Sequence, residues 1–245
     1  MLRHILFDLY GTLVHITTDE HAPQTSAAFE RWIEGRFGRS AAERERARPF
    51  AWDLRDIQPG PGAHAEPDLA PVVQAHLRKV AGREPSPVEI REAAEAFRAA
   101  SRRELSRVPG ALEALRALRQ KFGIGLVSNA QLLFTLPELR QVGLPTELFD
   151  PLVISSQAGV RKPSPRIFEQ ALERARAAPS EVLYVGNDPK DDVDGAAAVG
   201  LRTCRVDDPR QQGEGAHRPD LRLRSVAELA AAILGEAAPP WARSA

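Results

Sequence analysis

Residues 5 to 14 read Ile5-Leu6-Phe7-Asp8-Leu9-Tyr10-Gly11-Thr12-Leu13-Val14. Three apolar residues run into a carboxylate, and a Gly-Thr turn follows. A strand buried on both faces carries a charged side chain only against a desolvation cost, so Asp8 belongs at a polar edge. The carboxyl ends of a parallel sheet provide such an edge, and open α/β folds place their ligand and reaction sites there. Asp8 is therefore a candidate nucleophile. In isolation, an Asp-x-x-Gly at a strand end reads better as a turn or a helix cap.

Three later segments end in the same way. Gly123 to Val127 runs into Ser128-Asn129, Leu152 to Ser156 is followed by Lys162-Pro163, and Val182 to Val185 runs into Gly186-Asn187-Asp188-Pro189-Lys190-Asp191-Asp192. Each apolar run gives way to polar residues and then to a helical pattern, the alternation of a doubly wound parallel α/β sheet. Together these strand ends would present one reactive edge. The carboxylates at 188, 191, 192 and 194 also read as a helix N-terminus, where acidic residues favour the helix dipole. That accounts for Asp191 and Asp194 and leaves Asp188 and Asp192 open.

In order and spacing the four motifs resemble those of the haloacid dehalogenase (HAD)-like hydrolase superfamily, whose first motif is Asp-x-Asp-Gly-Thr after an apolar strand. The likeness covers residues 1–16 and 109–236. It implies a Rossmannoid catalytic core interrupted at 17–108 by an all-helical cap of the family's first class, with 237–245 as a tail. It also implies hydrolysis through a covalent aspartyl intermediate. Asp8 would attack, Lys162 would contact nucleophile and substrate, and Thr12, Ser128 and Asn129 would hold substrate oxygens. A carboxylate reacts this way only if the electrophile is fixed in line and the developing charge is neutralised. Mg²⁺ is the implied cofactor, a hard cation that needs only one or two protein carboxylates. Its candidate ligands are Asp8, the Tyr10 backbone carbonyl, Asn187, Asp188 and Asp192. Asn187 stands where the family commonly has Asp, so the choice among the last three stays open.

Tyr10 replaces the second Asp of the first motif, which in family phosphatases protonates the leaving group and then activates water. A phenol with a reference pKa near ~10 is a weak base at neutral pH. The 2-haloacid dehalogenase branch resembles this chain in having Tyr here, and it needs no leaving-group acid. It differs elsewhere, with Ser-Asn-Gly against Ser128-Asn129-Ala130, a Tyr six residues past the lysine against Phe168, and Ser-Ser-Asn against Gly186-Asn187-Asp188. Its halide-binding cap Arg is unassignable among Arg31, Arg36, Arg39, Arg44, Arg46 and Arg48. The reading that follows is Mg²⁺-assisted hydrolysis of a small phosphate ester, with Asp8, Tyr10 and Lys162 as catalytic positions and Arg161 a bystander. The alternatives are metal-free 2-haloacid dehalogenation and a catalytically weakened binding protein on the same fold.

Composition sets further bounds. The 245 residues allow one large domain and a smaller one. Lys plus Arg equals Asp plus Glu at 33 each, so no global field draws in nucleic acid or an anionic membrane. The expected partner is a small anionic substrate, and the chain is expected to be a monomer or homodimer. Cys204 is the only cysteine, which excludes an intrachain disulfide and points to a reducing cytoplasm, with Cys204 itself a buried small hydrophobe. No run reaches the ~20 apolar residues of a membrane span. His64 and His76 lack zinc-site spacing and read as surface residues. P-loop, dinucleotide and Gly-x-Ser-x-Gly signatures are absent.

In the insert, Phe29, Trp32, Ile33 and Phe37 recur at helical spacing with Ser26 as the cap residue, a Pro/Gly-rich loop spans 58–67, and helices follow at 69–80 and 87–105. The last opens Ser86-Pro87-Val88-Glu89, the pattern of a reciprocal cap. Val108-Pro109-Gly110 marks the return to the core, where five strands are expected. Residues 225–235 form a closing helix capped by Ser225. The tail frays unless Trp241 docks it.

Overall fold

Residues 1–47 and 62–242 of the chain are described by the computed structural model. Arg48 and the first residues of the 58–67 loop lie outside them. Six strands form one parallel sheet: β1 (His4–Phe7), β4 (Gly123–Ser128), β5 (Leu152–Ile154), β6 (Val182–Gly186), β7 (Arg202–Val206) and β8 (Leu221–Leu223), in the order β5-β4-β1-β6-β7-β8. The sequence reading expected five. Leu221-Arg222-Leu223 was missed because three residues are too few to display a period, and only pairing with Cys204 to Val206 defines them.

Alternation along β1 explains the layers. Ile5 and Phe7 point to one face, where Leu115 and Leu118 of α5 (Ala111–Arg119) and Leu229 and Ile233 of α10 (Leu229–Leu234) cover them. Leu6 points to the other face, against Ile167 and Phe168 of α8 (Pro165–Ala175). Phe7 is registered with Leu126 on β4 and Val185 on β6, so Asp8 emerges level with the ends of both neighbours. After β1 the chain builds outward through β4 and β5, then returns to place β6 on the opposite side of β1. That reversal opens a crevice at the carboxyl ends of β1 and β6, the switch point where such sheets bind ligands.

The insert carries four helices among the described residues: α1 (Pro23–Phe37), α2 (Arg39–Ala47), α3 (Leu69–Ala81) and α4 (Pro87–Ser101). Phe29, Ile33, Leu69, Val73, Leu77 and Phe97 form its own core, joined by Phe134 from α6 (Leu132–Gln141). The insert is not all-helical, however. β2 (Val14–Thr18) pairs antiparallel with β3 (Arg102–Arg107), so α4 stops at Ser101 rather than Leu105. Arg102 to Leu105 continues the helical reading of 87–105 in the sequence, and its strand form comes from the cross-strand ladder with Val14 to Thr18. Ser26 does not cap α1, which begins at Pro23 behind Ala22.

Other local readings hold. Ser86 accepts from the Glu89 backbone N–H at 3.3 Å while the Glu89 carboxylate accepts from the Ser86 N–H at 2.8 Å. Ser225 accepts from the Ala227 N–H at 3.2 Å. Cys204 is buried, which pushes its thiol up to about 12, with the nearby Asp220 adding to the shift. His76 is not a surface residue: it packs against Glu45 with its side chain 14% exposed. Ala238 and Ala242 are buried and Trp241 lies under the Arg202 guanidinium at 4.9 Å, so the tail is docked as far as residue 242. No helix of the described residues is long and apolar enough to cross a membrane.

The Ser86 cap gives a direct check on the insert. Ser86→Ala removes one of two reciprocal hydrogen bonds and should cost about 1 kcal/mol, read as a lower urea midpoint with an unchanged denaturant slope.

Candidate active site

Asp8 follows β1 and is 6% exposed. The next turn reverses sharply at Gly11, whose φ is +90°, and a Cβ there would stand 2.3 Å from Asn187 Nδ2. Glycine is needed on both counts. Thr12 Oγ1 lies 3.4 Å from Asp8 Oδ2 and 3.3 Å from Asn187 Oδ1, one hydroxyl proton between two acceptors. Ser128 and Asn129 end β4, and Asn187 follows β6.

Lys162 reaches this edge from the loop before α8 and is 3% exposed. Its ammonium donates to Asp8 Oδ1 and Asp192 Oδ1, both at 2.7 Å, and to the Tyr184 hydroxyl at 2.9 Å. All three N–H bonds are used. Burial alone would lower the lysine pKa, but Asp192 and Asp8 outweigh it and hold the ammonium well above its ordinary range. Asp8 moves the other way. Burial, with Asp192 beside it, raises its carboxyl to about 6 against the opposing pull of Lys162. The lysine loop is located by Asn129, whose Oδ1 accepts from the Lys162 backbone N–H at 2.7 Å and whose Nδ2 donates to the Lys162 carbonyl at 3.2 Å.

Both oxygens of Asp192 are engaged, Oδ1 by Lys162 and Tyr184 and Oδ2 by the Asp188 N–H at 2.9 Å. A Cβ at Gly186 would sit 2.3 Å from that carboxylate, so the close approach requires glycine. Asp188 caps the following turn, with Oδ1 accepting from the Lys190 and Asp191 N–H groups at 2.8 Å. Asn187 donates to Asp208 Oδ2 at 3.2 Å. Burial, then the charge of Asp188, raises the Asp191 carboxyl.

Asp8, Ser128, Asn129, Lys162, Asn187, Asp188, Asp191 and Asp192 line one cavity of about 140 Å³. Ser128 Oγ is buried there without a hydrogen-bond partner among the described residues, an orphan hydroxyl beside Asp8. Four of the lining side chains are carboxylates and one is an ammonium. No group of three or more His, Cys, Asp or Glu at metal-holding spacing occurs among the described residues. Asp8, Tyr10, Asn187 and Asp188 share this lining, and their carboxylate, amide and backbone oxygens are donors of the kind Mg²⁺ takes when it keeps several waters. The donor chemistry fits a hard divalent cation.

Tyr10 lines the same cavity, but its hydroxyl donates a short hydrogen bond to Glu138 of α6. Burial and the Glu138 charge push its pKa far above the ordinary phenol range. Glu138 also pairs with Arg98 of α4 at 3.4 Å, so the residue that departs from the family pattern ties core to insert. Sequence reasoning missed Glu138 and Tyr184. Phe168 packs edge-on to Tyr184 with ring centres 5.1 Å apart, and Tyr184 supplies the hydroxyl at Lys162 that Phe168 lacks. None of Arg31, Arg36, Arg39, Arg44 and Arg46 lines the site; Arg98 and Arg161 line an adjoining cavity instead.

The profile of haloacid dehalogenase-like hydrolases matches residues 2–200. Phosphoserine phosphatase from Thermus thermophilus is 34% identical over 223 residues, 89% of this chain and 84% of that protein. Pyrimidine 5'-nucleotidase YjjG from Escherichia coli is 37% identical over 137 residues, 55% of this chain and 60% of its own. The chain thus covers under two thirds of that relative. In fold, a 2-haloacid dehalogenase from Pseudomonas syringae superposes with a TM-score of 0.59 at 21% identity, over 94% of this chain and 96% of that one. Phosphatases and a dehalogenase thus share this architecture. With the profile running through all four strand-end motifs and one relative aligned over most of its length, the chain belongs to the haloacid dehalogenase-like hydrolases.

Proposed function

We propose that this hydrolase removes phosphate from a small phosphate ester by attack of Asp8, with Mg²⁺ bound at the carboxylate-rich edge. One observation carries the reading: four carboxylates against one ammonium line the reaction cavity. Lys162 is already neutralised by Asp8 and Asp192, so an anionic substrate entering without a further cation meets net repulsion. This bears on a haloacid as much as on a phosphate, which disfavours metal-free dehalogenation. Bound by Asp8, the Tyr10 carbonyl and Asn187 or Asp188, Mg²⁺ would offset this charge and polarise a phosphoryl oxygen. Asp192, with both oxygens engaged, serves to position Lys162.

Asp8 forms its bond to phosphorus through the oxygen that Lys162 leaves open, and the ester P–O bond breaks, the departing alkoxide taking its proton from solvent. The unpartnered Ser128 hydroxyl faces the phosphoryl oxygens, and Lys162 steadies the other oxygen of Asp8. Water then attacks phosphorus, releasing phosphate and restoring the Asp8 carboxylate. The weak point is the leaving group, since Tyr10 is turned to Glu138 and holds its proton tightly. The single buried Cys204 accords with a cytoplasmic setting.

Asp8→Asn should lower turnover by about 10⁴- to 10⁶-fold. In the wild type, acid quench during turnover and borohydride reduction should convert phosphorylated Asp8 to homoserine, read by peptide mass. Active hydrolysis without that product would sink covalent catalysis. The position of ¹⁸O from labelled water separates the chemistries, because water attacks phosphorus in a phosphoenzyme and the Asp8 carboxyl carbon in a dehalogenase ester. Label should enter phosphate and spare Asp8.

The same variant has a stability signature in chelator. A carboxyl raised from 3.8 to about 6 in the folded state disfavours folding once ionised, so the cost is absent below the unfolded pKa and complete above the folded one. By linkage the apoprotein should lose stability as pH rises from the ordinary carboxylate range to about 6, and Asp8→Asn should remove that pH dependence. The same pH dependence in the variant as in the wild type would contradict the buried charge.

Mg²⁺ should bind by calorimetry and support turnover, and an Asn187→Ala/Asp188→Ala double variant should bind it at least about tenfold more weakly. Halide release from a 2-chloro acid with no Mg²⁺ response would reverse the assignment. Tyr10→Asp should raise turnover of alkyl phosphates, within the ~10²- to 10⁴-fold of general acid catalysis, and change p-nitrophenyl phosphate little. Equal losses on both substrates would show that Tyr10 does not stand at the acid's position.

A further inference from the structure

Asn187 carries two chemically opposite atoms at the end of its side chain, and only one of them can face a cation. The residue is buried and lines the reaction cavity with Asp8 and Asp188. An amide oxygen is a ligand for a hard cation and an amide NH₂ repels one, so the amide has to be turned one way. Thr12 does not settle which. Its hydroxyl lies 3.3 Å from Asn187 Oδ1, but a hydroxyl both donates and accepts and would serve either orientation.

The orientation is set by Asp208, a buried carboxylate two residues beyond β7. An ionised carboxylate has no proton to give, so the Asn187 atom that meets Asp208 Oδ2 at 3.2 Å has to be Nδ2. With the amide turned over, oxygen would stand against oxygen in a buried place. Arg210 keeps the carboxylate ionised and in position. Its Nε donates to Oδ1 at 3.0 Å and Nη2 to Oδ2 at 3.1 Å, a two-pronged pair, and its backbone N–H adds a bond to Oδ1 at 3.0 Å. The same guanidinium donates to the Ile16 carbonyl at 3.3 Å and to His15 Nδ1 at 3.0 Å, both on β2. A Cβ at Gly11 would stand 2.8 Å from Asp208 Oδ2, so the Asn187–Asp208 pair packs directly on the turn after Asp8.

We propose that Asp208 is a positioning residue of the reaction site: clamped by Arg210, it holds the Asn187 amide with its oxygen toward the cavity and thereby sets the affinity for a divalent cation. The consequence for the cation rests on the Mg²⁺ reading above, whereas the amide orientation belongs to the metal-free protein. Asp208 lies outside the four strand-end motifs and stands behind Asn187, away from the cavity lining. Its contribution is also electronic. A hydrogen bond from the amide N–H to a carboxylate polarises the amide and places more negative charge on Oδ1, as an outer carboxylate does for a ligating imidazole.

Calorimetric Mg²⁺ titration of the full chain, repeated on Asp208→Asn, Asn187→Ala and the double variant, tests this. Asp208→Asn keeps the shape and brings an NH₂ of its own, which frees Asn187 to turn over, and Mg²⁺ binding should weaken by about 10- to 100-fold. With Asn187 already Ala, the same change should alter the Kd by less than about threefold, because its effect travels through Asn187. Equal losses in both backgrounds would mean that Asp208 acts by its charge alone and would overturn the proposal. Exchanging the pair, Asn187→Asp with Asp208→Asn, restores one carboxylate and one amide in complementary contact and should recover at least the wild-type affinity. ¹⁵N NMR of the metal-free wild type gives a reading that needs no variant of Asp208. The Asn187 NH₂, identified by its absence in Asn187→Ala, should be protected from solvent exchange and remain so when Mg²⁺ is added. A rapidly exchanging NH₂, or one released by Mg²⁺, overturns the orientation even if Asp208→Asn does not fold. Mg²⁺ binding indifferent to Asp208→Asn overturns this inference alone, and a wild-type chain that binds no Mg²⁺ overturns the Mg²⁺ reading with it.

Discussion

A single buried ammonium organises the reactive edge. Lys162 is held at 2.7 Å from both Asp8 and Asp192, so the end of β1, the loop before α8 and the turn after β6 meet on one charge. Three charges leave water to form this contact, and each is tolerable only because the others are present. The geometry is secured from both sides: Tyr184 contacts Lys162 and Asp192, and Asn129 holds the lysine backbone. Gly186 is part of the same constraint, since any side chain there would occupy the space of the Asp192 carboxylate.

The arrangement has an electrostatic consequence. A lysine shared by two carboxylates has little attraction left for an anion, and the remaining lining adds Asp188 and Asp191. Substrate charge must therefore be met by something other than Lys162. That physical requirement, more than any one residue, favours a divalent cation at the oxygen-rich end of the cavity.

The insert and core are joined through residues adjacent to the chemistry. Tyr10 reaches Glu138, Glu138 pairs with Arg98, and the 64–66 segment pairs with 159–161 immediately before Lys162. The insert thus contacts the first-motif turn through one set of side chains and the lysine loop through backbone. Any change in how it seats would be felt at both places, a short physical route from the insert to Asp8.

Much of this was legible in the chain before folding. Apolar runs ending in Asp8, Ser128-Asn129 and Asn187-Asp188 announce a parallel sheet with one polar edge, because strand burial and turn chemistry are local properties of a few consecutive residues. The reciprocal cap at Ser86 and Glu89 was equally local. What the tertiary structure alone decided lies between residues distant in sequence. Arg102 to Arg107 becomes a strand only against Val14 to Thr18, and Leu221 to Leu223 only against β7. Tyr184 reads as one more apolar strand residue until its hydroxyl is found at Lys162, and Asp208 reads as a turn residue before Pro209 until Asn187 is brought beside it. Local pattern determines where a side chain leaves its own strand or helix, but which charge or hydroxyl meets it depends on packing between segments separated along the chain, and no period in the sequence records that.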